Sequence, residues 1–465
     1  MNDNGNANKS PKTLKKLKSS VFARGMSLAK VTLHTGISVA QHGLTNIFND
    51  ENLKNKNWQA LLKSQAALLT NELGELKGSL MKAGQMLSMY GEHFLPPEAN
   101  QFLKALQSDS PPLAWEAIEP LLQERLGDKL NLLEIEATPI ASASMGQVHR
   151  AKILSNGEII ALKVQYPDVD RAIDSDLKTL KTLLTSLKLL PQNFDLSPLL
   201  EEIKTMLHQE VDYLTEAKLT DEFYALLKDD SQFVVPRVFH EFSGPQILAT
   251  SYEEGFRVDS EEVQSLSQDL RNGIALNFLD LYFREVFQWG FVQTDPHAGN
   301  YRIRLNGNQP QIILFDFGAS RRYPKSFLVP YRQMIKASLE DNTEAFKNAA
   351  TEIGFLQPGD NPELEKLFVE FCFESIEPFL SPYDPRNINS RVQNDGSYDW
   401  KNTDLPERLS KRVFEIIRKF SWRTPPKEIV FLDRKTGGVF IFLSLLRAKI
   451  NGRALLLKYL EDENP

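Results

Sequence analysis

Two short polar clusters on either side of a strand-forming stretch constrain this chain more than any other feature. The first is Gln293-Thr294-Asp295-Pro296-His297-Ala298-Gly299-Asn300 and the second is Leu314-Phe315-Asp316-Phe317-Gly318. Between them run Tyr301-Arg302-Ile303-Arg304-Leu305, the pair Asn306-Gly307, and Gln311-Ile312-Ile313-Leu314, a pattern of strand, turn and returning strand. Closing that hairpin brings Asn300 at its entry beside Asp316 at its exit. Their oxygens, with Asp295 five residues before Asn300, suit Mg²⁺ ions carrying a nucleoside triphosphate. Any one of these fragments alone reads as a solvated Asp/Asn/Gly loop. Their order and spacing together point to phosphate chemistry.

An acid, four intervening residues, an Asn, a hairpin and an Asp-Phe-Gly triplet is also the spacing of a protein-kinase catalytic loop and its metal-binding turn. The chain of 465 residues, 42% apolar and 25% charged, is long enough for two or three lobes with substantial cores. A net charge of −7 gives no reason to expect nucleic acid as a partner. The single cysteine, Cys372 between Phe371 and Phe373, excludes an internal disulfide framework and reads as a buried structural thiol in a reducing compartment. No apolar run reaches the ~20 residues of a spanning helix. The longest, residues 438–446, ends at Arg447 and reads as a buried core helix.

The first 20 residues are Asn/Lys-rich and read as a mobile tail. Up to residue 30 the basic side chains are Lys9, Lys12, Lys15, Lys16, Lys18, Arg24 and Lys30, against the single acid Asp3. Residues 21–30 fit either an anionic membrane surface or the start of an ordinary helix, and their charges disfavour a secretory signal. Over residues 58–89, Leu69, Leu73, Leu76, Leu80, Ala83 and Leu87 alternate spacings of four and three, which is one helical stripe. Gly78, Lys82, Gln85 and Met89 fall on the opposite side. Gly78 and Gly84 each cost about 1 kcal/mol relative to Ala inside a helix, so another surface is expected to approach there. Residues 82–85 thereby become a candidate polar contact on a helix covered on both faces. Pro96-Pro97 and Pro111-Pro112 mark linkers.

Residues 139–148 form a small-residue loop that enters a second Asn-Gly hairpin, with strands over 148–154 and 159–165. Ile160, Leu162 and Val164 point to one face of the returning strand, and Ala161, Lys163 and Gln165 to the other. An Ala/Ser loop ahead of a hairpin bearing Lys163 has the layout of a kinase nucleotide loop and its phosphate-binding lysine. Alone, Lys163 reads as a surface residue on an edge strand; Asp295 further along raises it above that. Such a lysine needs a carboxylate from a neighbouring helix. A helix over residues 199–226 offers Glu210, Asp212 and Glu216, with Asp212 and Glu216 on one face and Glu210 on another, so one helix would serve two polar contacts. Residues 233–236 and 246–252 read as strands and Glu253-Glu254-Gly255 as a hinge between lobes. A helical stretch over 278–289 leads into the Asp295 loop, and residues 331–460 are mainly helical around a polar loop at 381–404.

Taken together these residues resemble the UbiB family, also called AarF or ADCK, of atypical protein-kinase-like proteins linked to ubiquinone and isoprenoid-lipid metabolism. The family's Lys-x-Gly-Gln signature appears as Lys82-Ala83-Gly84-Gln85 and its alanine-rich loop as Ala141-Ser142-Ala143-Ser144. Its Glu-x-Asp motif appears as Glu210-Val211-Asp212 and its helix glutamate as Glu216. Gln293 stands where bacterial members commonly carry His. Residues 293–296 are similar to the eukaryotic, coenzyme-Q-associated branch, whereas residues 297–300 are similar to the bacterial one.

The resemblance implies an α+β, two-lobed protein-kinase-like fold with a helical N-terminal extension. Its parts would be a basic tail over 1–50, the extension over 51–130, an N-lobe over 131–253 and a C-lobe over 254–465. It implies ATP/ADP and Mg²⁺ as cofactors, with Asn300 and Asp316 on the metal and Lys163 at the phosphates, paired with Glu216. Ala141, Ser142, Ala143 and Ser144 would form the nucleotide loop, and Asp295 would position or deprotonate the acceptor. Glu210 would reach Lys82 and Gln85 on a helix lying where a protein kinase admits its peptide. Mg-dependent ATPase or small-molecule/lipid kinase activity is therefore expected in place of protein phosphorylation, in support of ubiquinone or isoprenoid-lipid metabolism. Adenine nucleotide, a lipid or quinone-precursor surface and biosynthetic enzymes are the expected partners, with no nucleic acid. The expected location is the cytoplasm, with peripheral contact at the inner membrane. A non-catalytic, nucleotide-dependent scaffold and an aminoglycoside- or choline-kinase-like phosphotransferase are the alternatives; the latter enzymes lack the helix bearing residues 82–85.

Overall fold

The computed structural model describes residues 78–91, 97–105, 112–186, 189, 195–307, 309–388, 391–419 and 427–461. The basic tail and the start of the helical stripe, with Leu69, Leu73 and Leu76, lie outside them, as do Pro96 and Pro111. The described chain divides into two compact units. One holds the described residues up to Ala217 together with Val238–Tyr252; the other holds Lys218–Arg237 and the described residues from Glu253 onward.

The first unit is built on an antiparallel sheet of β1 (Leu133–Ile135), β2 (Ala141–Ser142), β3 (Gly146–Ile153), β4 (Ile159–Gln165) and β5 (Ile247–Ser251), in the order β1-β3-β4-β5 with β2 beside the start of β3. The hairpin register places Val148 opposite Lys163, and Lys163 opposite Leu248 on the far side. Ile160, Leu162 and Val164 are fully buried, as the alternation requires. Gln165 is buried as well, because its Nε2 donates to Val211 O at 2.9 Å. Gly146 opens β3 so close to β4 that a Cβ would sit 2.6 Å from Val164 O. Gly146→Ala is expected to destabilise the protein by about 1–3 kcal/mol through this backbone clash, read from the urea midpoint; an unshifted midpoint would show that the strands yield freely.

Six helices accompany the sheet: α1 (Ser79–Gly91), α2 (Pro97–Ala105), α3 (Trp115–Leu126), α4 (Val169–Ser186), α5 (Ser197–Glu210) and α6 (Tyr213–Leu227), the last running across the boundary between the units. Helix α1 packs on α2, α4 and α5. Leu80, Ala83 and Leu87 are buried, and so is Gly84 beside them, whereas Gln85 on the opposite side, expected to be covered, is exposed. Gly78, by contrast, precedes the helix and adopts φ +122°, so its glycine serves the chain entry instead of a helix contact. Ser79, the first helical residue, donates to the buried Asp176 of α4 at 2.5 Å. Pro97, expected in a linker, is the first residue of α2, where its missing N–H costs nothing.

The single helix expected over 199–226 is two helices. Val211 and Asp212 interrupt it, and the Asp212 carboxylate accepts from Thr215 N at 3.0 Å and Thr215 Oγ1 at 2.7 Å. Asp212 thus caps α6, a contact worth about 1 kcal/mol, and does not share a face with Glu216.

In the second unit, α7 (Gln268–Phe283) continues through a π-helical turn, Arg284–Gln288, into β6 (Phe291–Gln293). A hairpin of β7 (Tyr301–Arg304) and β8 (Gln311–Leu314) follows, with Phe233–Val234 parallel to β8. β9 (Ser320–Arg322) returns antiparallel to β6. The hairpin loop, residues 305–310, is longer than the two-residue turn suggested by Asn306-Gly307. Six longer helices complete the unit: α8 (Lys325–Leu339), α9 (Thr343–Ile353), α10 (Pro362–Ser375), α11 (Leu405–Lys419), α12 (Lys427–Leu445) and α13 (Arg453–Glu461). Val439, Phe442 and Leu443 of α12 are buried in one large core with Phe278, Leu279 and Tyr301. Cys372 lies on α10 beside a small cluster around Phe346; the residue is half-buried overall, and burial of its thiol pushes the thiol's pKa well up, as expected of a structural thiol. Among the described residues no helix is long and apolar enough to cross a membrane.

Candidate functional site

In the first unit β4 and α6 bring Lys163 and Glu216 together. Lys163 Nζ donates to both carboxylate oxygens of Glu216, at 2.7 and 2.8 Å. Tyr213 and Ala217 of α6 are buried against Leu248 of β5, the strand next to Lys163, which seats the first turn of α6 at the lysine. The ammonium also lies 4.9 Å from the centre of the Tyr213 ring. A cation held bidentately and only about a fifth exposed is oriented in advance for anionic oxygens.

The Ala/Ser loop comprises β2 and a tight turn. Ala141 and Ser142 pair with Val148 and Gln147, and Ala143 N donates to Gly146 O at 2.8 Å. Ala141, Ser142 and Ala143 are exposed and Ser144 is half-buried. Ser142 Oγ shares a hydrogen bond with Tyr166 OH at 3.3 Å, and burial pushes that phenol up to about 12. On α1, Lys82 Nζ meets Glu210 Oε2 at 2.9 Å, whereas Gln85 is exposed. Glu210 ends α5 and Glu216 lies in the first turn of α6, so the two acids serve their lysines from different helices.

The second unit closes the hairpin as the spacing demands: Phe315 N donates to Asn300 O at 2.8 Å, which sets Asn300 next to the turn carrying Asp316. Asn300 Nδ2 donates to Asp295 O at 3.0 Å and to Asp295 Oδ2 at 3.3 Å. With the amide nitrogen so engaged, Asn300 Oδ1 is its remaining acceptor. Asp316 adopts φ +59°, a left-handed conformation that costs a non-glycine residue of order 1 kcal/mol and is typical of functional turns. Two hard oxygen donors completed by phosphates and water are how Mg²⁺ is commonly bound, and among the described residues no cluster of three His, Cys, Asp or Glu offers a softer metal a cage. Asn300 and Asp316 therefore fit Mg²⁺.

Four residues that the sequence reading did not place at the site belong to its frame. Gln293, read only as a marker of subgroup, is buried and donates through Nε2 to Asp295 O at 2.8 Å and Asp316 O at 3.1 Å, clasping the acid loop to the metal turn. The others lie on α12. Arg434 Nη2 meets Asp295 Oδ1 at 2.5 Å. Lys435 Nζ meets Glu285 Oε2 at 2.7 Å, with both side chains about 2% exposed. Gly438 is so close to Pro296 that a Cβ would overlap its ring at 2.2 Å. Glu285, on the π-helical turn, also accepts from Gln293 N at 3.3 Å; burial raises its pKa, and the Lys435 charge offsets part of that rise. The available signal was an Arg-Lys pair followed by Gly437-Gly438 within an apolar helix.

Residues 105–350 match the ABC1 atypical kinase-like domain. Over 400 residues the chain is 31% identical to a Schizosaccharomyces pombe protein described as atypical kinase COQ8, mitochondrial, an alignment covering 85% of this chain and 63% of that protein. A Saccharomyces cerevisiae protein of the same description is 30% identical over 421 residues, covering 90% and 80%. Atypical kinase COQ8B, mitochondrial, of Danio rerio is 32% identical over 400 residues, covering 85% and 61%. The chain thus spans less than two thirds of the fission-yeast and zebrafish relatives. Among solved structures, Rv3197 of Mycobacterium tuberculosis, described in its complex with erythromycin, superposes with a TM-score of 0.56 at 27% identity, over 86% of this chain and 97% of that one.

Proposed function

Because the chain belongs to the ABC1 atypical kinase-like family, the UbiB/AarF/ADCK group its motifs resemble, and has a kinase-like α+β fold, we propose that it binds Mg²⁺–ATP and either hydrolyses it or phosphorylates a small-molecule or lipid acceptor. The observation that carries this reading is the Gln293 side chain, which holds the backbone of Asp295 and that of Asp316 at once. A loop acid and a metal-binding turn fixed to one amide fit phosphoryl transfer, in which positioning and charge stabilisation supply most of the rate.

In this reading Asn300 and Asp316 would hold the metal, which when bound would neutralise charge on the phosphates. By the family resemblance Lys163, oriented by Glu216, would contact the phosphates, and residues 141–144 would supply the nucleotide loop. Asp295 accepts a hydrogen bond from the acceptor O–H. The acceptor class rests on the family resemblance of the helix bearing Lys82 and Gln85, which Glu210 ties down at 2.9 Å. Support of ubiquinone or isoprenoid-lipid metabolism at a membrane rests on the same resemblance.

ATP consumption measured with detergent micelles or a lipid headgroup analogue tests the reading. Asp295→Asn is expected to keep the thermal shift caused by nucleotide and to lose turnover by about 10²-fold or more. Turnover equal to the wild type, or a wild type that binds ATP without consuming it, would favour the scaffold alternative. Quinone content in a strain lacking the protein, restored by the wild type and not by Asp295→Asn, tests the physiological role.

A further inference from the structure

Helix α12 presents Phe431, Arg434, Lys435, Gly438 and Phe442 at spacings of three and four, so they share one face. That face meets several parts of the phosphate-handling apparatus in the same unit. Phe431 stacks under the Arg321 guanidinium of β9 at 3.5 Å, Arg434 pairs with Asp295, Lys435 pairs with Glu285, and Gly438 receives Pro296. Phe442 stacks on Phe278 of α7 with ring centres 3.9 Å apart. A helix needed only for packing would have no use for a guanidinium aimed at the loop acid.

We propose that Arg434 is a positioning residue for Asp295, an inference that rests on Asp295 serving the acceptor. The guanidinium engages Oδ1 at 2.5 Å, which fixes rotation about the Cβ–Cγ bond. Oδ2, whose contact with Asn300 Nδ2 is long at 3.3 Å, is then the oxygen that takes the acceptor O–H hydrogen bond. Gly438 lets Pro296 settle against the same helix, so Arg434 and its target keep a constant separation. The helix thereby sets the orientation of the acid from behind, without itself touching nucleotide or acceptor.

The test compares ATP turnover, ATP KM, nucleotide-induced thermal shift and guanidinium rescue in Arg434→Ala, Arg434→Lys, Asp295→Asn and the double variant Asp295→Asn/Arg434→Ala. Arg434→Ala is expected to lower kcat about 10–100-fold with KM for ATP and the thermal shift close to wild type, since a misplaced catalytic group costs rate and leaves nucleotide binding intact. Millimolar guanidinium restores part of the rate. Lysine, which lacks the planar fork, recovers only part of it. In the Asp295→Asn background, loss of Arg434 has no further effect. A wild-type kcat in Arg434→Ala overturns the inference, and so does a loss that adds in full to that of Asp295→Asn. If Arg434→Ala does not fold, Arg434→Lys decides: a kcat equal to wild type counts against the inference, and a lowered kcat with unchanged KM supports it. Asp295→Asn turning over at the wild-type rate would overturn the proposed activity as well, whereas an inactive Asp295→Asn beside a fully active Arg434→Ala overturns the positioning role alone.

Discussion

Asp316→Asn is expected to leave the protein folded and to abolish the rise in melting temperature that Mg²⁺ and ATP produce together. Asparagine keeps the shape and one oxygen of aspartate, and it tolerates the left-handed φ of +59° that this position requires, so the turn survives. What disappears is the charge on a hard oxygen ligand. At a nucleotide concentration 100 times its Kd, binding stabilises the folded state by about 2.7 kcal/mol, and the variant loses most of that. Chelating Mg²⁺ from the wild type reproduces the effect. A thermal shift that survives both the substitution and the chelator would remove Asp316 and Asn300 from the metal site.

Lys435→Met carries the largest expected cost to stability. Lys435 and Glu285 are both buried and 2.7 Å apart, and removing one partner of such a pair costs about 3–5 kcal/mol because the remaining charge is left uncompensated. The double variant Lys435→Met/Glu285→Gln is expected to recover much of the loss, since glutamine can still accept from Gln293 N. The pH dependence has a definite sign. Burial makes Glu285 hold its proton to higher pH in the folded protein than in the unfolded chain. Its ionisation therefore costs stability as pH rises from the usual carboxylate range through the raised folded value. Without Lys435 that window extends upward, so the single variant regains stability on mild acidification, and the double variant does not. Urea unfolding across pH 5–8 reads the difference; a single variant that weakens further on acidification would contradict the assignment of charge to this pair.

Much of the candidate site's geometry was legible because it is written in local patterns. The strand-turn-strand sequence between Asn300 and Asp316 forces the two together, and the alternation in β4 sets Lys163 apart from Ile160, Leu162 and Val164. Where the reading failed, the deciding contact was of another kind. The chain at residues 210–213 has no glycine or proline to announce a helix end, yet Asp212 followed three residues later by Thr215 is a capping pattern, and the cap splits the helix. Gly78 looked helical because the apolar stripe runs past it, whereas its own backbone angle begins the helix. The brace from α12 lay beyond any local pattern: 139 residues separate Arg434 from Asp295. Gln293 was invisible for a different reason, since an amide offers no sign of which carbonyls it will hold.

The interruption at Val211 and Asp212 makes a short joint between the grips on two lysines. Glu210, on one side of it, grips Lys82 of α1; Glu216, on the other, grips Lys163 of β4. The joint is pinned to the sheet by Gln165, which holds Val211 O from the same strand as Lys163, two residues along. The spacing between the grips is thus set by a short run of chain and one hydrogen bond. Lys82 of the helical extension and Lys163 of the sheet are thus held from the two ends of one short joint.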